Sequence, residues 1–168
     1  MTGYTRRSAE IDGDFVVFLI GTHINRWRDV RAWLPMFRAM PRMLQELAQH
    51  PEMGMLKAHA GWMFGGPAVV QYWRSYEHLE AYARNAQAEH LPAWRAFNRA
   101  ARSHGDAVGI FHETYRVSAG QWETVYGGMP EIGLLAAGRA VTLDPASTSA
   151  TRLGARADDT PPVEVPTA

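Results

Sequence analysis

The sequence has no cysteine, no net charge and no long apolar run. Without thiols it has no disulfide scaffold, no thiolate nucleophile and no cysteine metal site. A formal net charge of +0 provides no general electrostatic field for nucleic acid. No segment is long and apolar enough to span a bilayer, and Val16–Ile20 is too short for the apolar region of a signal peptide. These absences predict a soluble, cytoplasmic protein without nucleic-acid or membrane partners.

Motifs of several common enzyme classes are missing as well. There is no glycine-rich phosphate loop of the kind that holds nucleotides or flavins, and no G-x-S-x-G element of a serine hydrolase. The histidines are scattered, and no pair has the H-x-x-x-H spacing that places two metal ligands on one helix face. The sequence therefore predicts no metal site, and no motif in it names a cofactor.

The length of 168 residues, with 46% apolar residues, suits one domain with a hydrophobic core. Residues 1–13 are polar and are expected to form a loose arm. Residues 14–137 carry the periodic patterns of strands and helices. Residues 138–168 are rich in Ala, Ser, Thr, Asp and Pro without periodicity, which is typical of a disordered tail.

Alternation and helical periodicity predict the elements of the domain. The strands fall at Asp14–Asn25, Met53–Phe64, Pro67–Arg74 and Ala107–Val117, and the helices at Arg28–His50 and after the N-cap Ser75. Gly65-Gly66 predicts a hairpin, and Pro41 predicts a kink or a break at Met40-Pro41 that gives two short helices. The order β-α-β-β-α-β is that of a ferredoxin-like α+β fold.

The first strand, Phe15–Ile20 at its centre, is apolar on both faces. A ferredoxin-like sheet has helices on one face only, so the second face must be buried in another way. Pairing with a second copy of the chain would bury it, and the sequence therefore predicts a homodimer.

Five blocks of sequence carry a family resemblance. They are FLIGTHINRW (Phe18–Trp27), WLPMFRAMPRML (Trp33–Leu44), VQYWRSYEHLEAYA (Val70–Ala83), HLPAWRAFNR (His90–Arg99) and GIFHETY (Gly109–Tyr115). Together they resemble a monooxygenase-like branch of the dimeric α+β barrel superfamily, to which antibiotic-biosynthesis and haem-degrading monooxygenases belong. Members of the branch include proteins of fungal polyketide pathways. The resemblance implies a dimeric barrel of ferredoxin-like protomers and a small oxidoreductase of secondary metabolism.

His90 is the first candidate that the resemblance indicates. It lies just before a helix that opens at Pro92, and relatives carry a histidine facing the substrate at this place. The resemblance implies a general base near neutral pH or an axial haem ligand. The alternative is a histidine at a helix start that bonds to nearby backbone.

His23 and Asn25 share one face of the first strand. The resemblance implies that Asn25 donates a hydrogen bond to bound oxygen or substrate. His23, where the branch more often has an arginine, is a further catalytic candidate because it shares the strand face with Asn25. The alternative is a polar pair facing water at a strand end. His112, in GIFHETY, takes the strand face opposite to Glu113, and the sequence leaves open which of these faces the helices.

Tryptophan is frequent for so small a domain, with 6 residues. Trp73, Trp94 and Phe97 are expected to line a pocket for a planar, apolar molecule of aromatic or polyketide-like type. The alternative is that these side chains belong to the hydrophobic core. In the first hypothesis no cofactor is needed, because His90 removes a proton and the electron-rich substrate reacts with oxygen directly. The second hypothesis is a haem enzyme of oxygenase, peroxidase or aldoxime-dehydratase type, with His90 or His112 on the iron. The third is a ligand-binding barrel without catalysis.

Overall fold

A computed structural model describes residues 5–85 and 102–154, together with Arg95 and Arg99. The strands are β1 (Arg6–Glu10), β2 (Phe15–Ile24), β3 (Met55–Met63), β4 (Gly66–Trp73), β5 (Val108–Val117), β6 (Tyr126–Gly127) and β7 (Arg139–Thr142). The helices are α1 (Val30–Gln49), α2 (Tyr76–Arg84), α3 (Leu134–Ala137) and α4 (Ser149–Arg152). Short 3₁₀ turns at Pro51–Met53 and Gly105–Ala107 lead into β3 and β5.

The main sheet is antiparallel, with strand order β3-β4-β2-β5. Its register places Leu19 of β2 between Val70 of β4 and Glu113 of β5. Helix α1 connects β2 to β3, and α2 follows β4, where Ser75 accepts a hydrogen bond from the backbone of His78 as its N-cap. The order β2-α1-β3-β4-α2-β5 is a ferredoxin-like α+β fold, so this prediction is confirmed.

The two faces of the sheet are covered differently. On one face, Val16 and Trp73 pack against Leu47 of α1 and against Leu79 and Tyr82 of α2. We call this the helix face. On the other face a second cluster combines residues of the sheet with residues that lie outside it; its buried members are Phe15, Ala9 and Leu134. We call this the open face, because among the described residues the cover lies at the end near Phe15.

A small second sheet of order β6-β1-β7 covers that end of the open face. Arg7 of β1 pairs with Tyr126 on one side and with Thr142 on the other. The prediction of a loose arm is therefore wrong for Arg6–Glu10, and the prediction of a disordered tail is wrong for β7 and α4. Both segments have sequences without clear alternation, and they are ordered here because they pair with residues distant in the chain.

Helix α1 runs through both Pro35 and Pro41. The predicted division into two helices at Met40-Pro41 is wrong. Ala32 in the first half and Leu47 in the second half are both buried, so packing on either side of the prolines keeps the two halves in one helix. Tertiary burial here outweighs the missing hydrogen bond of the proline nitrogen.

The β3–β4 hairpin is confirmed, with its turn one residue earlier than predicted. Phe64 and Gly65 form the turn with φ angles of 51° and 84°. Two successive positive φ angles match the twist of paired strands in a two-residue hairpin. A side chain at Gly66 would meet the Thr22 carbonyl oxygen at 2.0 Å, so the backbones of β4 and β2 approach closely at this point.

Candidate active site

On the helix face, a row of side chains crosses the sheet from β4 through β2 to β5. Phe18 of β2 lies opposite Gln71 on β4 and opposite Thr114 on β5, and Ile20 lies opposite His112. Side chains directly opposite one another in a ladder share a face. Phe18 packs against the cluster beneath α1 and α2. The row therefore answers the open question: His112 stands on the helix face.

Trp73 and Gln71 form a buried polar pair on this face. The indole Nε1 of Trp73 donates a hydrogen bond to Oε1 of Gln71 over 2.8 Å. Trp73 is 0% exposed and Gln71 is 6% exposed. Trp73 also contacts the ring of Tyr82, with centroids 5.8 Å apart. Protein encloses the ring of Trp73 on all sides in this structure. The predicted contact between Trp73 and a ligand stays a prediction.

Gln71 was not among the candidate residues that the sequence indicated. The signal was a single amide within the apolar run Val69-Val70-Gln71-Tyr72-Trp73, at a position that alternation places on the same face as Trp73. A polar side chain that is buried in a central strand requires a hydrogen-bond partner, and the indole two residues later supplies it.

His112 is exposed at the far edge of the helix face. Its ring lies 5.8 Å from that of Phe18 at an angle of 40°. Glu113 points to the open face instead, where it is exposed and accepts a hydrogen bond from the hydroxyl of Tyr115. That contact raises the pKa of Tyr115, because the neighbouring carboxylate favours the protonated phenol. His112 and Glu113 therefore belong to different surfaces.

The side chains of His23 and Asn25 form hydrogen bonds with backbone carbonyl groups of two loops. The Nδ1 atom of His23 lies 2.5 Å from the carbonyl oxygen of Phe64, and Nδ2 of Asn25 donates to the carbonyl oxygen of Asp106 over 2.6 Å. Both residues are exposed, and His23 lies on the open face, away from Gln71. These contacts tie the β3–β4 hairpin and the Gly105–Ala107 turn to the end of β2.

His90, Trp94 and Phe97 lie outside the described residues. The roles predicted for them stay predictions.

Aromatic rings continue from α1 to the edge of the sheet. The centroid of Trp33 lies 5.2 Å from that of Phe37 and 6.1 Å from that of Trp27, and Trp27 stacks on Trp62 at 5.6 Å and 16°. Trp27 and Trp62 are more than half exposed. Because Trp62 shares its face with Pro67 in the β3–β4 register, this exposed aromatic surface borders the helix face.

A polar cluster lies on the open face, beneath the segment that leads into α3. The Gly133 nitrogen donates to Nε2 of His59 over 2.9 Å, and the Leu134 nitrogen donates to the hydroxyl of Tyr126 over 3.1 Å. Tyr72 lies in the same cluster. Burial, and to a lesser extent the neighbouring Tyr126, raise the pKa of Tyr72 above its ordinary value. This cluster holds the C-terminal segment against the sheet.

The part of the chain that the structure describes contains neither a cluster of metal ligands nor a membrane-spanning helix. Within those residues, no three His, Asp or Glu side chains are placed to hold a metal ion. None of the described helices has the length and apolar character needed to cross a membrane.

Comparison with known proteins identifies a family and several structural neighbours. A family model described as monooxygenase af470-like matches residues 15–134. No curated protein matches the chain. SnoaB, a cofactor-independent oxygenase from Streptomyces nogalater, aligns with a TM-score of 0.43 and 12% identity over 61% of this chain and 91% of its own. A dimeric protein of unknown function and ferredoxin-like fold from Bacteroides fragilis aligns with a TM-score of 0.43 and 12% identity over 60% and 94%. A dimeric ferredoxin-like protein of unknown function from Jannaschia sp. aligns with a TM-score of 0.42 and 18% identity over 59% and 97%.

Proposed function

Because this chain belongs to the monooxygenase af470-like family, whose model spans residues 15–134, we propose that it is a small oxidoreductase of monooxygenase type. Its substrate is an apolar, planar molecule of aromatic or polyketide-like structure. The observation that carries the proposal is the helix face, where one buried amide, Gln71, stands among aromatic rings. Apolar walls with a few fixed polar groups are the usual composition of a small-molecule site.

The substrate lies between the sheet and the helices in this proposal. Phe18 and His112 provide a ring surface on the β2–β5 side, and Trp27 and Trp62 provide an exposed aromatic border on the β3 side. Flat aromatic molecules gain both apolar burial and ring stacking from such a surface. Trp94 and Phe97 are proposed to complete the wall.

The reaction needs no external reductant, because the substrate supplies the electrons that reduce the second oxygen atom to water. His90 is proposed as the base that removes a proton from a carbon activated by a neighbouring carbonyl or ring. The resulting carbanion forms a carbon–oxygen bond with molecular oxygen and gives a hydroperoxide. Loss of water then leaves a carbonyl group. With 1,8-dihydroxyanthrone, the methylene group becomes a carbonyl, one oxygen molecule is consumed, and one water molecule is formed.

Conversion of 1,8-dihydroxyanthrone to its anthraquinone tests the proposal, since the two compounds differ in visible absorbance. The purified protein should accelerate the conversion above the rate of a protein-free solution and of heat-denatured protein. No acceleration with this anthrone, nor with other phenolic polyketide-type compounds, would refute oxygenation. Tight binding of an unaltered compound would then indicate a ligand-binding barrel.

A haem-dependent reaction is the competing function, with His90 or His112 as the ligand, and of these two His112 lies within the described residues. A histidine that binds a metal usually donates its second ring nitrogen to a carboxylate or carbonyl group. In the described part of the chain neither ring nitrogen of His112 has such a partner. The described residues therefore do not fit a haem site, and no step through haem is proposed. A Soret band that shifts when haemin is added and is lost in His112→Ala would establish the haem alternative.

A homodimer is the proposed assembly. Phe64 is 63% exposed and packs edge-to-face on Phe111, with centroids 5.1 Å apart, and Tyr115 is 52% exposed. These rings belong to the open face beyond the part that the small sheet covers. Exposed aromatic groups of this kind mark contact surfaces, and a second copy of the chain is the proposed occupant. Sedimentation at micromolar concentration should show a dimer, and a monomer would contradict it.

A further inference from the structure

The orientation of the Gln71 amide is fixed by its neighbour. An indole nitrogen is a donor only, so the Gln71 atom that faces Trp73 Nε1 must be the oxygen. The amide nitrogen must then point away from Trp73. This argument depends on the chemistry of the indole and not on the ability to distinguish nitrogen from oxygen in a side-chain amide.

The Gln71 nitrogen has no hydrogen-bond partner among the residues that the structure describes. In the same part of the chain, no fully enclosed side-chain nitrogen or oxygen lacks a partner. The Nε2 atom is therefore not fully enclosed, although the residue as a whole is 6% exposed. Part of its surface is accessible, although the side chain as a whole is buried.

The neighbours of Gln71 across the sheet differ in size. Along the row, the flanking residues are Phe18 on β2 and Ala58 on β3. Phe18 has a phenyl ring on one side of Gln71, and Ala58 has only a methyl group on the other. The two amide hydrogens of Gln71 are left without an acceptor among the described residues. A ligand oxygen beside the amide would accept a hydrogen bond from it.

We infer that Gln71 binds the substrate directly, with its Nε2 donating to a carbonyl or phenolate oxygen of the planar ligand, and that Trp73 is the positioning residue that orients the amide. This inference rests on the proposed function. A donor in a poorly solvated place stabilises oxygen-centred negative charge, including the charge that develops when the substrate loses a proton. The site therefore selects aromatic compounds with an oxygen substituent over plain hydrocarbons.

The probe for the test is 2-hydroxyanthraquinone, whose absorbance reports whether its phenol is ionised. Binding to the wild-type protein should lower the apparent pKa of this phenol. In Gln71→Met the donor is lost, and phenolate binding should weaken roughly 10- to 100-fold at every pH, as expected for a hydrogen bond to a charged group. In Gln71→Glu the acceptor for Trp73 is kept, and phenolate binding should weaken further as the pH rises, because the ionised carboxylate repels the ligand.

One control variant and one variant of the positioning residue accompany the test. Gln121→Glu makes the same change at an exposed glutamine in the loop after β5 and should bind the probe as the wild-type protein does. Trp73→Phe keeps Gln71 but removes the donor that orients it, and should give an intermediate loss. Near-ultraviolet circular dichroism and the unfolding midpoint establish that each variant is folded.

The outcomes are distinguishable. Folded Gln71→Met and Gln71→Glu proteins that bind the phenolate as tightly as the wild-type protein, with an unchanged pKa of the bound phenol, would overturn the inference and leave the proposed function intact. A wild-type protein that neither binds the probe nor oxidises the anthrone would refute the proposed function, and the role of Gln71 with it.

Discussion

The imidazole of His23 fills the place where a side chain at Gly65 would lie. A Cβ atom added at Gly65 would come within 2.4 Å of the His23 ring, and the backbone there has a φ of 84°. His23 also bonds the carbonyl oxygen of the preceding residue, Phe64, so the ring and the hairpin turn fit one another. We therefore assign His23 to the structure of the hairpin.

Gly65→Ala should reduce the free energy of unfolding by more than Gly13→Ala does. Gly13 is the matched control, because its φ is 86° and a Cβ there would have nothing within 4 Å. Both changes cost about 1 kcal/mol or more for the positive φ, and the contact with His23 adds about 1–3 kcal/mol at Gly65 only. Urea denaturation measures both values, and equal losses would show that the ring of His23 moves aside freely.

Asn25→Ala should lower stability while leaving turnover within about twofold of the wild-type rate. The amide of Asn25 donates a hydrogen bond to the Asp106 carbonyl oxygen. A hydrogen bond of this kind contributes about 0.5–1.5 kcal/mol to the free energy of unfolding. Asn25→Asp should be less stable than Asn25→Ala, because it places a carboxylate oxygen against the carbonyl oxygen. A fall of turnover by about 100-fold with an unchanged unfolding midpoint would instead return Asn25 to the catalytic site.

His90→Ala should reduce kcat by about 10²- to 10⁴-fold, the usual contribution of a general base, while the dimer remains folded. His112→Ala is the comparison, because His112 is exposed on the helix face and is proposed to line the substrate site without transferring a proton, so its loss should raise KM and leave kcat near the wild-type value. Anthrone conversion and sedimentation measure the two properties separately. Full activity in His90→Ala would remove this residue from the mechanism, and loss of activity in His112→Ala alone would make His112 the base.

Tyr72 should make the protein less stable at alkaline pH. Burial raises the pKa of Tyr72 in the folded state, so the folded protein keeps this proton after the unfolded chain, with its ordinary value of about 10, has lost it. The associated stability is fully present below pH of about 10 and is lost as the pH rises through the folded pKa.

Tyr72→Phe should remove part of this alkaline loss, seen as a smaller drop in the urea midpoint between neutral and strongly alkaline pH. Tyr76→Phe, which removes an exposed phenol, is the matched control and should follow the wild-type protein. Identical slopes for Tyr72→Phe and the wild-type protein would contradict the raised pKa.

The ferredoxin-like core could be predicted from local patterns. Alternation in the strands, the cap at Ser75 and the hairpin glycines are all local signals, and each agrees with the structure apart from a shift of one residue in the turn. Strand β1 could not be predicted, because Arg6–Glu10 has no apolar alternation and is ordered by partners more than a hundred residues away. The continuity of α1 through Pro41 could not be predicted either, because it depends on the burial of residues on both sides of the proline, which helix propensities do not include.

The candidate site was harder to predict than the fold. Residue type indicated Asn25 as a donor, but the direction of its amide is set by a loop carbonyl that alternation does not reveal. The sheet face of His112 follows from its pairing opposite Ile20. The local sequence pattern does not reveal that pairing. Gln71 was visible as one amide in an apolar strand, and its importance appears only once the hydrogen bond from Trp73 fixes which of its ends is free.

Oxygen uptake during anthrone oxidation tests the central claim most directly. With 1,8-dihydroxyanthrone and no added cofactor, the account predicts uptake faster than in a protein-free solution, with one oxygen molecule consumed for each anthraquinone formed. Catalase added at the end should return no oxygen, because the second oxygen atom leaves as water and not as hydrogen peroxide. Uptake equal to that of the protein-free solution would contradict a monooxygenase, and oxygen returned by catalase would show an oxidase instead.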